Sequence, residues 1–319
     1  MRIGLQVSAD RGRYATKVEK LRADAGWADG AGLDSIWTPQ IPDEFDAMTA
    51  ATVIGTATSR IEIGTAIVPI QPRHPIALAQ QALSTQAVCG GRFVLGLGVS
   101  HHWIIRDMLG LPYERQALTM RSYLDVLDQA LAGPGLVEVE NELFDIRNPL
   151  DVTDIVPTPV MIAALGPVML KLAGERAAGT SLWLADERTI ESHVVPTISR
   201  AAEAAGRPAP RILAGVPVCL CRDDEIDAAV ERTNRVLSEV VDSPNYQRLM
   251  EHGDARAIGD VLVCGSEATM EKRMRSFANA GVTDFNARIV PLGGDRDAIR
   301  ASAERTRQFL SSVAPALRT

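Results

Sequence analysis

The sequence predicts a single (β/α)8 barrel of the TIM type, an α/β fold, over residues 1–319. Short apolar runs and longer helical stretches alternate strictly along the chain, which is typical of a parallel sheet, and eight strand-like runs are the number that closes a barrel. In addition, Ala-Gly pairs at 31–32, 178–179 and 280–281 stand between a helical stretch and the next strand, where glycine commonly ends a helix. The alternative is a doubly wound open sheet, which alternates in the same way but usually has fewer strands.

The individual elements follow from local patterns. The first strand is a short apolar run, and the first helix spaces Val18, Leu21, Ala25 and Ala28 three or four residues apart. The eight predicted strands are Ile3–Val7, Ser35–Trp37, Ile61–Ile67, Phe93–Leu97, Val160–Ala164, Thr180–Leu184, Ile212–Leu220 and Asp284–Ile289. The predicted helical stretches are Thr16–Ala31, Ala47–Thr58, Pro75–Val88, Arg115–Leu131, Pro167–Ala177, Glu187–Ala205, Asp223–Val240, Ala268–Ala280 and Asp295–Val313.

Two segments do not belong to a bare barrel. Val137–Ile146 alternates apolar and polar residues across a Glu-Asn-Glu turn, which predicts a short hairpin inserted before the fifth strand. Ser243–Gly265 mixes turn residues with a short helix and an extra strand at Val261–Cys264. Insertions of this kind usually become lids or subunit contacts. Since no interdomain linker separates any of these segments, we expect one domain.

The composition is that of an ordinary globular enzyme, with 46% hydrophobic residues, 23% charged residues and a net charge of −7. This acidic balance argues against a general nucleic-acid binder. Four cysteines in a chain of this length do not make a disulfide-stapled module. Because no uncharged stretch is long enough to span a bilayer and the first residues lack a signal-peptide pattern, we expect a cytoplasmic protein without membrane contact.

The segment Gly96–His101, with the sequence GLGVSH, follows the fourth predicted strand. It superficially suggests a dinucleotide-binding loop, but His101 replaces the third glycine of that motif. As the loop at the carboxyl end of a barrel strand, it belongs to the face that carries active sites. His101 is then a candidate proton donor or acceptor near neutral pH. The alternative, for His101 and for the adjacent His102, is an ordinary exposed loop histidine.

Two further strand ends carry candidate anion-binding residues. Arg73 and His74 lie just before Pro75, which pre-sets a first helical turn, and their side chains would face an anionic ligand at the barrel mouth. At the end of the fifth strand, the chain opens a helix whose backbone N–H groups can bind an anion, although a tight turn would use the same residues. This second group is Ala164, Leu165, Gly166 and Pro167.

Three tryptophans are candidate walls of an aromatic pocket. Trp37 ends the second strand, Trp183 ends the sixth, and Trp103 lies in the loop after the fourth; each could instead fill the top of the barrel. Cys219 and Cys221 lie two apart on one predicted strand, but no second pair and no histidine at ligand spacing completes a metal site. We therefore expect no bound metal.

Long stretches of the chain resemble the bacterial luciferase-like monooxygenase superfamily. These stretches are GLDSIWTPQ, IEIGTAIVPIQPRHPIALAQQALSTQAVCGGRFVLGLGVSHH, PVMIAALGPVMLKLAGERAAGTSLWL and AGVTDF. Within the superfamily, the PRHP, LGVSH and AALGP segments are most similar to the branch of oxidoreductases that uses coenzyme F420, a deazaflavin. The resemblance implies a barrel that holds the deazaflavin ring at the carboxyl ends of its strands.

The resemblance also implies which residues meet the cofactor. A non-proline cis peptide between Ala66 and Ile67 would support one face of the ring. Contacts to the cofactor phosphate and tail would fall on Val99, Ser100, His101, Leu165, Gly166 and Pro167. The complete predicted cofactor site also includes Gln40, Arg73, His74, Gly98 and Ala164.

The chain departs from the family pattern in two places. Several relatives carry Ser-Asp-His after the second strand, with the histidine near the reacting carbon, whereas this chain has Thr38-Pro39-Gln40. Sugar-phosphate dehydrogenases of the family carry glutamate at the position of His101. We therefore predict that the catalytic proton is handled by His101.

The predicted function is hydride transfer between F420 and a small organic substrate. An FMN-dependent monooxygenase is an alternative on the same barrel, because reduced FMN reacts with oxygen and deazaflavins react poorly with it. A flavin- or deazaflavin-binding protein without turnover is a second alternative, since a scaffold does not guarantee chemistry. The family resemblance favours a homodimer.

Overall fold

The computed structural model describes residues 1–8, 12–153, 157–238 and 243–318. Its strands are β1 (Arg2–Gln6), β2 (Ser35–Thr38), β3 (Glu62–Thr65), β4 (Val68–Pro69), β5 (Phe93–Gly98), β6 (Gly135–Glu140), β7 (Asp145–Leu150), β8 (Val160–Ala163), β9 (Gly179–Trp183), β10 (Arg211–Leu220), β11 (Val263–Gly265) and β12 (Asp284–Ile289). Its α-helices are α1 (Lys17–Gly30), α2 (Ala47–Thr56), α3 (Pro75–Val88), α4 (Gln116–Ala130), α5 (Pro167–Arg176), α6 (Glu187–Thr189), α7 (Val195–Ala204), α8 (Ile226–Val236), α9 (Pro244–Met250), α10 (Glu267–Asn279) and α11 (Arg296–Leu317).

Eight of the strands close into a barrel. The ring runs β1, β2, β3, β5, β8, β9, β10, β12 and back to β1. Every neighbouring pair in the ring is parallel, so the carboxyl ends of all eight strands lie at the same end of the barrel. The predicted (β/α)8 barrel is confirmed, and the closed ring excludes an open doubly wound sheet.

The third predicted strand, Ile61–Ile67, is interrupted. Regular pairing ends at Thr65, the peptide bond between Ala66 and Ile67 is cis, and the chain then enters β4, which pairs with β5. The cis peptide implied by the family resemblance is therefore present. It forms a bulge at the carboxyl end of the barrel wall.

Both insertions are present with somewhat different bounds. The hairpin consists of β6 and β7 and is longer than predicted, and β11 pairs with β10 outside the ring. A π-helical segment at Trp103–Met108, which the strand–helix alternation did not predict, follows β5. The helix predicted for Asp223–Val240 is α8 after a short 3-10 turn, and the last predicted residues, 239–240, lie outside the described residues.

Apolar side chains fill two spaces. Most of them form a continuous layer between the strands and the surrounding helices. A smaller cluster of Trp37, Val94, Met161 and Leu213 fills the barrel interior. Across the described ranges, none of the helices has the length and apolar character needed to cross a membrane.

Candidate functional site

A cavity of about 1030 Å³ opens among residues at the carboxyl ends of the barrel strands. This volume is at the upper end of the range for small-molecule sites, so a large ligand, or two ligands side by side, can enter. Many of the site residues predicted from the sequence line it. They are Gln40, Ala66, Ile67, Val99, Ser100, His101, Trp103, Leu165, Gly166, Pro167 and Trp183.

One wall of the cavity is the bulge of Ala66 and Ile67. The Ala66 N–H donates to the Thr38 carbonyl at 2.9 Å, and the Ile67 carbonyl accepts from the Gln40 N–H at 3.3 Å. Strand β5 approaches the bulge closely because Gly98 lacks a side chain: a Cβ there would lie 3.1 Å from Ile67 Cδ1. Gly98 is buried and shapes the wall without lining the cavity, which corrects its prediction as a direct contact.

The loop after β5 carries His101. Its imidazole stacks on the Trp103 ring, with centroids 5.5 Å apart and planes 14° apart, and lies 5.8 Å from the Tyr246 ring. Burial, followed by the charge of His102, lowers the pKa of His101 from its ordinary value of 6.5. The imidazole, which lines the cavity, is therefore mainly neutral at pH 7 and able to accept a proton.

The start of α5 forms another wall. Pro167 occupies the first turn of this helix, and among the described residues no side chain caps that turn. Its backbone N–H groups are thus available to an anion in the cavity, where the helix dipole also favours negative charge. The preceding Leu165 carbonyl is held by a hydrogen bond from His193 Nε2 at 3.0 Å, and His193 stacks on His252 at 4.1 Å.

The structure contradicts the prediction that Arg73 and His74 face the cavity. Arg73 forms an ion pair with Asp46, the residue that caps α2. His74 caps α3, where its Nδ1 accepts from the Ile76 N–H at 3.3 Å. Both side chains are engaged by neighbouring helices, so neither lines the described cavity.

Trp37 and Ala164 were also misplaced. Trp37 is 0% exposed and lies inside the barrel, where its Nε1 donates to Ser35 Oγ at 2.9 Å. The room for its indole comes from Gly64 on the adjacent strand, because a side chain there would collide with the ring. Ala164 is buried as well and does not line the described cavity.

Several cavity residues were missed by the sequence analysis. Gln6 ends β1, and Asn286 and Arg288, two positions apart, lie on the same face of β12. Period-two alternation along that strand was a signal that could have found the last two. Tyr246 and Arg248 come from α9, and only the folded position of the insertion brings them to the cavity.

Comparisons with known proteins agree with this architecture. The family model for luciferase-like monooxygenases matches residues 1–284. A Mycobacterium tuberculosis protein whose name assigns it to the coenzyme F420-dependent oxidoreductases is 28% identical over 202 residues, 58% of this chain and little more than half, 56%, of that relative. The 5,10-methylenetetrahydromethanopterin reductase of Methanopyrus kandleri is 27% identical over 286 residues, 81% of this chain and 80% of the reductase.

A solved structure extends the likeness over the whole chain. It is an F420-dependent secondary alcohol dehydrogenase in complex with an F420-acetone adduct, with a TM-score of 0.78, 17% identity and coverage of 100% of this chain and 99% of that one. At this identity the likeness shows a common fold. With the family model spanning most of the sequence, the chain belongs to the luciferase-like monooxygenase family.

Proposed function

We propose that this protein is a coenzyme F420-dependent oxidoreductase that moves a hydride between the deazaflavin and a small organic substrate. The observation that carries the proposal is the convergence of the Ala66–Ile67 bulge, the loop at 99–101 and the start of α5 on one large cavity. The name of the Mycobacterium tuberculosis relative supports the choice of cofactor.

The residues of the cavity fit this cofactor. A flat ring can rest on the bulge of Ala66 and Ile67, where Gly98 keeps β5 clear of side chains. The anionic tail suits the open first turn of α5, since a helix N-terminus binds phosphate and carboxylate groups. Arg248 and Arg288 bring positive charge to the cavity, in the role that the sequence analysis gave to Arg73 and His74.

When bound, the deazaflavin supplies the ring carbon that gives or takes the hydride. The protein orients the substrate, excludes water with Trp103, Trp183 and Tyr246, and handles the proton. His101, neutral at pH 7, exchanges that proton with the heteroatom of the substrate. Gln40 contributes a polar side chain to the cavity wall. This side chain is held in place because its Oε1 accepts from the Ala47 N–H, at the start of α2, at 3.0 Å.

Two alternatives use the same cavity. Reduced FMN with oxygen would make the protein a monooxygenase, and the bulge would serve an isoalloxazine ring equally well. A protein that binds the cofactor without turnover would need the walls but no proton-handling group. The placement of His101 inside the cavity favours an enzyme over this second alternative.

The proposal includes a homodimer in the cytoplasm. The hairpin of β6 and β7 exposes Leu136 and Leu143, which are 49% and 42% accessible. Exposed large apolar side chains on an insertion favour a subunit contact. Light scattering of the purified protein, compared with a variant carrying serine at both positions, tests this part of the proposal.

Titration of the purified protein with oxidised F420 and with FMN tests the choice of cofactor. We expect quenching of F420 fluorescence that saturates at one equivalent per chain, with FMN binding far more weakly. Tight FMN binding without affinity for F420 would overturn the proposal in favour of the monooxygenase. Binding of F420 with no hydride exchange toward any carbonyl, imine or enone would favour the non-catalytic alternative.

A substitution at Gly98 tests the site itself. In Gly98→Val the new side chain collides with Ala163 Cβ, 2.9 Å from the Cβ position, and with Ile67, and it pushes the bulge into the cavity. Overpacking of this kind costs about 1–3 kcal/mol of stability. Because the displaced bulge also takes space from the ring, we expect the Kd for F420 to rise about tenfold or more. Gly135→Val is the matched control, since nothing lies within 4 Å of a Cβ at that position. Equal F420 affinity in the two variants would contradict the placement of the ring on the bulge.

A further inference from the structure

Asn286 presents an unsatisfied polar group to the cavity. Its side chain is 2% exposed, and its Oδ1 has no hydrogen-bond partner among the described residues. Buried amide oxygens are almost always paired, so an unpaired one at a cavity wall indicates a ligand that completes it.

The neighbouring strands explain why no protein group bonds Asn286 Oδ1. Asn286 pairs in register with Gly4 on β1 and with Gly215 on β10. The room above these glycines is already occupied. A Cβ on Gly215 would lie 2.6 Å from Trp183 Cε3. A Cβ on Gly4 would meet Ser35 Oγ, which accepts from Trp37 Nε1 at 2.9 Å, and would lie 3.3 Å from Trp37 Cδ1. The Trp183 indole and the bonded pair of Ser35 and Trp37 thus take up the space beside the amide on both neighbouring strands, and Oδ1 is left for a partner from the cavity.

The position of β12 in the ring places this amide away from the bulge. Two strands, β1 and β2, separate it from β3 on one side, and the rest of the ring separates it on the other. A flat ring that rests on the Ala66–Ile67 bulge therefore turns its other face toward the strands that carry Trp183 and Asn286. That face is where a substrate exchanges hydride with the ring.

Part of the mouth of the same cavity is apolar. Ile41, Met108, Val168 and Val236 line the cavity and are 38%, 57%, 60% and 46% exposed. They are four of the eight large apolar side chains that are exposed in the described part of the chain. Single exposed apolar residues are common on protein surfaces, but four from different segments that line one cavity mark a binding surface. We call these four residues the apolar collar.

We propose that the substrate is an amphipathic carbonyl compound or the corresponding alcohol, with its oxygen bound by the Asn286 amide and its hydrocarbon chain leaving through the apolar collar. The inference deepens the proposed function and rests on it. An amide suits both states of such a substrate, because Nδ2 donates to a carbonyl oxygen and Oδ1 accepts from a hydroxyl. A collar continuous with the cavity favours the chain of a bound substrate over a separate protein partner.

Calorimetric titration of the F420-loaded protein with alkan-2-ones and alkan-2-ols of four to ten carbons tests the inference by binding alone. Burial of one methylene should strengthen binding about three- to fourfold, until the chain extends past the collar. Met108→Ser combined with Val236→Ser should flatten this dependence while leaving the Kd of the shortest ligand unchanged. Val88→Ser is the matched control, since Val88 is equally exposed on α3 and does not line the described cavity.

Asn286→Leu tests the amide separately. Every ligand in the series should bind about tenfold or more weakly, with the same gain per methylene, because the lost contact is common to all. The melting temperature of the ligand-free variant should not fall, since Oδ1 has no protein partner to lose. A lower melting temperature with unchanged ligand binding would show a structural role and overturn the assignment.

Other outcomes are equally decisive. Affinity that does not depend on chain length would overturn the amphipathic substrate. Dissociation of an oligomer by the Met108 and Val236 substitutions, seen by light scattering, would identify the collar as a subunit contact and also overturn it. Failure of the wild-type protein to bind F420 contradicts the proposed function instead, and the same titrations of the cofactor-free protein then show whether the amide and the collar bind the ligand series.

Discussion

His101 owes its chemical character to its neighbours. The imidazole stacks on the Trp103 ring and lies close to the Tyr246 ring, and burial together with the charge of His102 lowers its pKa below 6.5. In the direction of substrate oxidation, the neutral ring accepts the proton that leaves the substrate. The rate of this half-reaction should therefore stay constant above about pH 6.5 and fall as the pH drops through the lowered pKa.

Replacement of His101 should remove this fall in rate at low pH, the acid limb of the pH profile. In His101→Gln we expect single-turnover reduction of F420 to slow by about a hundredfold at pH 7.5 and to lose its pH dependence in the acid range, with F420 affinity preserved. In His102→Gln, the rate on the plateau should be unchanged and the limb should move to higher pH, because a charge that lowers the pKa of His101 is gone. Stopped-flow rates between pH 5 and 8 measure both effects. An acid limb that persists in His101→Gln would assign the proton to another group.

Contacts between residues that are distant in the chain explain why some side chains could not be placed from the sequence. His101 was found because a loop after a barrel strand faces the active end whatever its detailed path. Arg73 was misplaced because its partner, Asp46, lies 27 residues away along the chain and meets it only in the fold. Trp37 was misplaced because the glycine that makes room for it, Gly64, lies on a different strand. Asn286 differs from these two, since the alternation of side chains along its own strand places it with Arg288 on the face that lines the cavity, and that signal was not used.

At the scale of elements, local periodicity placed the barrel strands and most helices, and it failed where tertiary contacts decide. The bulge after β3 is one such place, and the π-helical segment after β5 is another. The insertion that carries α9 is a third. It reaches the cavity because the chain that follows α9 is fastened to the start of α6 by Asp186, whose carboxylate accepts from the Thr189, Asp254 and Ala255 N–H groups at 2.7–2.8 Å.

The contribution of the Asp186 hydrogen bonds to the local stability of this segment can be measured. Burial works to raise the pKa of Asp186, but its hydrogen bonds outweigh burial and lower the pKa, so the carboxylate is charged at neutral pH. In Asp186→Asn the amide cannot accept all these bonds, and we expect a loss of about 2 kcal/mol in local stability. Hydrogen exchange of residues 243–255 should accelerate and F420 should bind more weakly. Asp254→Asn, at an exposed carboxylate close by, is the control and should behave as wild type.

The hydrogen bonds of Asp186 also imply a pH dependence for this segment. Because the folded pKa lies below the unfolded value, the stabilising contribution is fully present above about pH 4 and is lost as the pH falls through the folded pKa. Exchange of residues 243–255 in the wild type should therefore approach that of Asp186→Asn in acid, after correction for intrinsic exchange rates. If the two proteins still differ there by the same factor, the carboxylate charge does not hold the insertion.

At the scale of the whole molecule, a cluster of charged side chains closes the end of the barrel opposite the cavity. The cluster consists of the first residues of four strands: Arg2 of β1, Glu62 of β3, Arg211 of β10 and Asp284 of β12. Arg211 bonds Glu62 at 2.7 Å and Asp284 at 2.6 Å, and Arg2 reaches the same two carboxylates at 3.1 Å. Burial opposes the charge of Arg211, but its bonds with Asp284 and Glu62 outweigh it and raise the pKa of the guanidinium. The cluster thus ties four barrel strands together far from the chemistry.

We therefore expect the ionic cluster at the amino ends of the strands to affect stability without affecting ligand binding at their carboxyl ends. Arg211→Met leaves Asp284, which is almost fully buried, with an incomplete set of partners, and removal of one member of a buried ionic cluster costs about 3 kcal/mol or more. Arg147→Met is the matched control, because its ion pair with Glu138 on the hairpin is largely exposed and should contribute less than about 1 kcal/mol. Urea unfolding measures both losses. The Kd for F420 of folded Arg211→Met should stay within about twofold of wild type, since active sites of these barrels lie at the carboxyl end of the strands. A parallel loss of stability and F420 affinity would show instead that the ionic cluster transmits strain through the strands to the cavity.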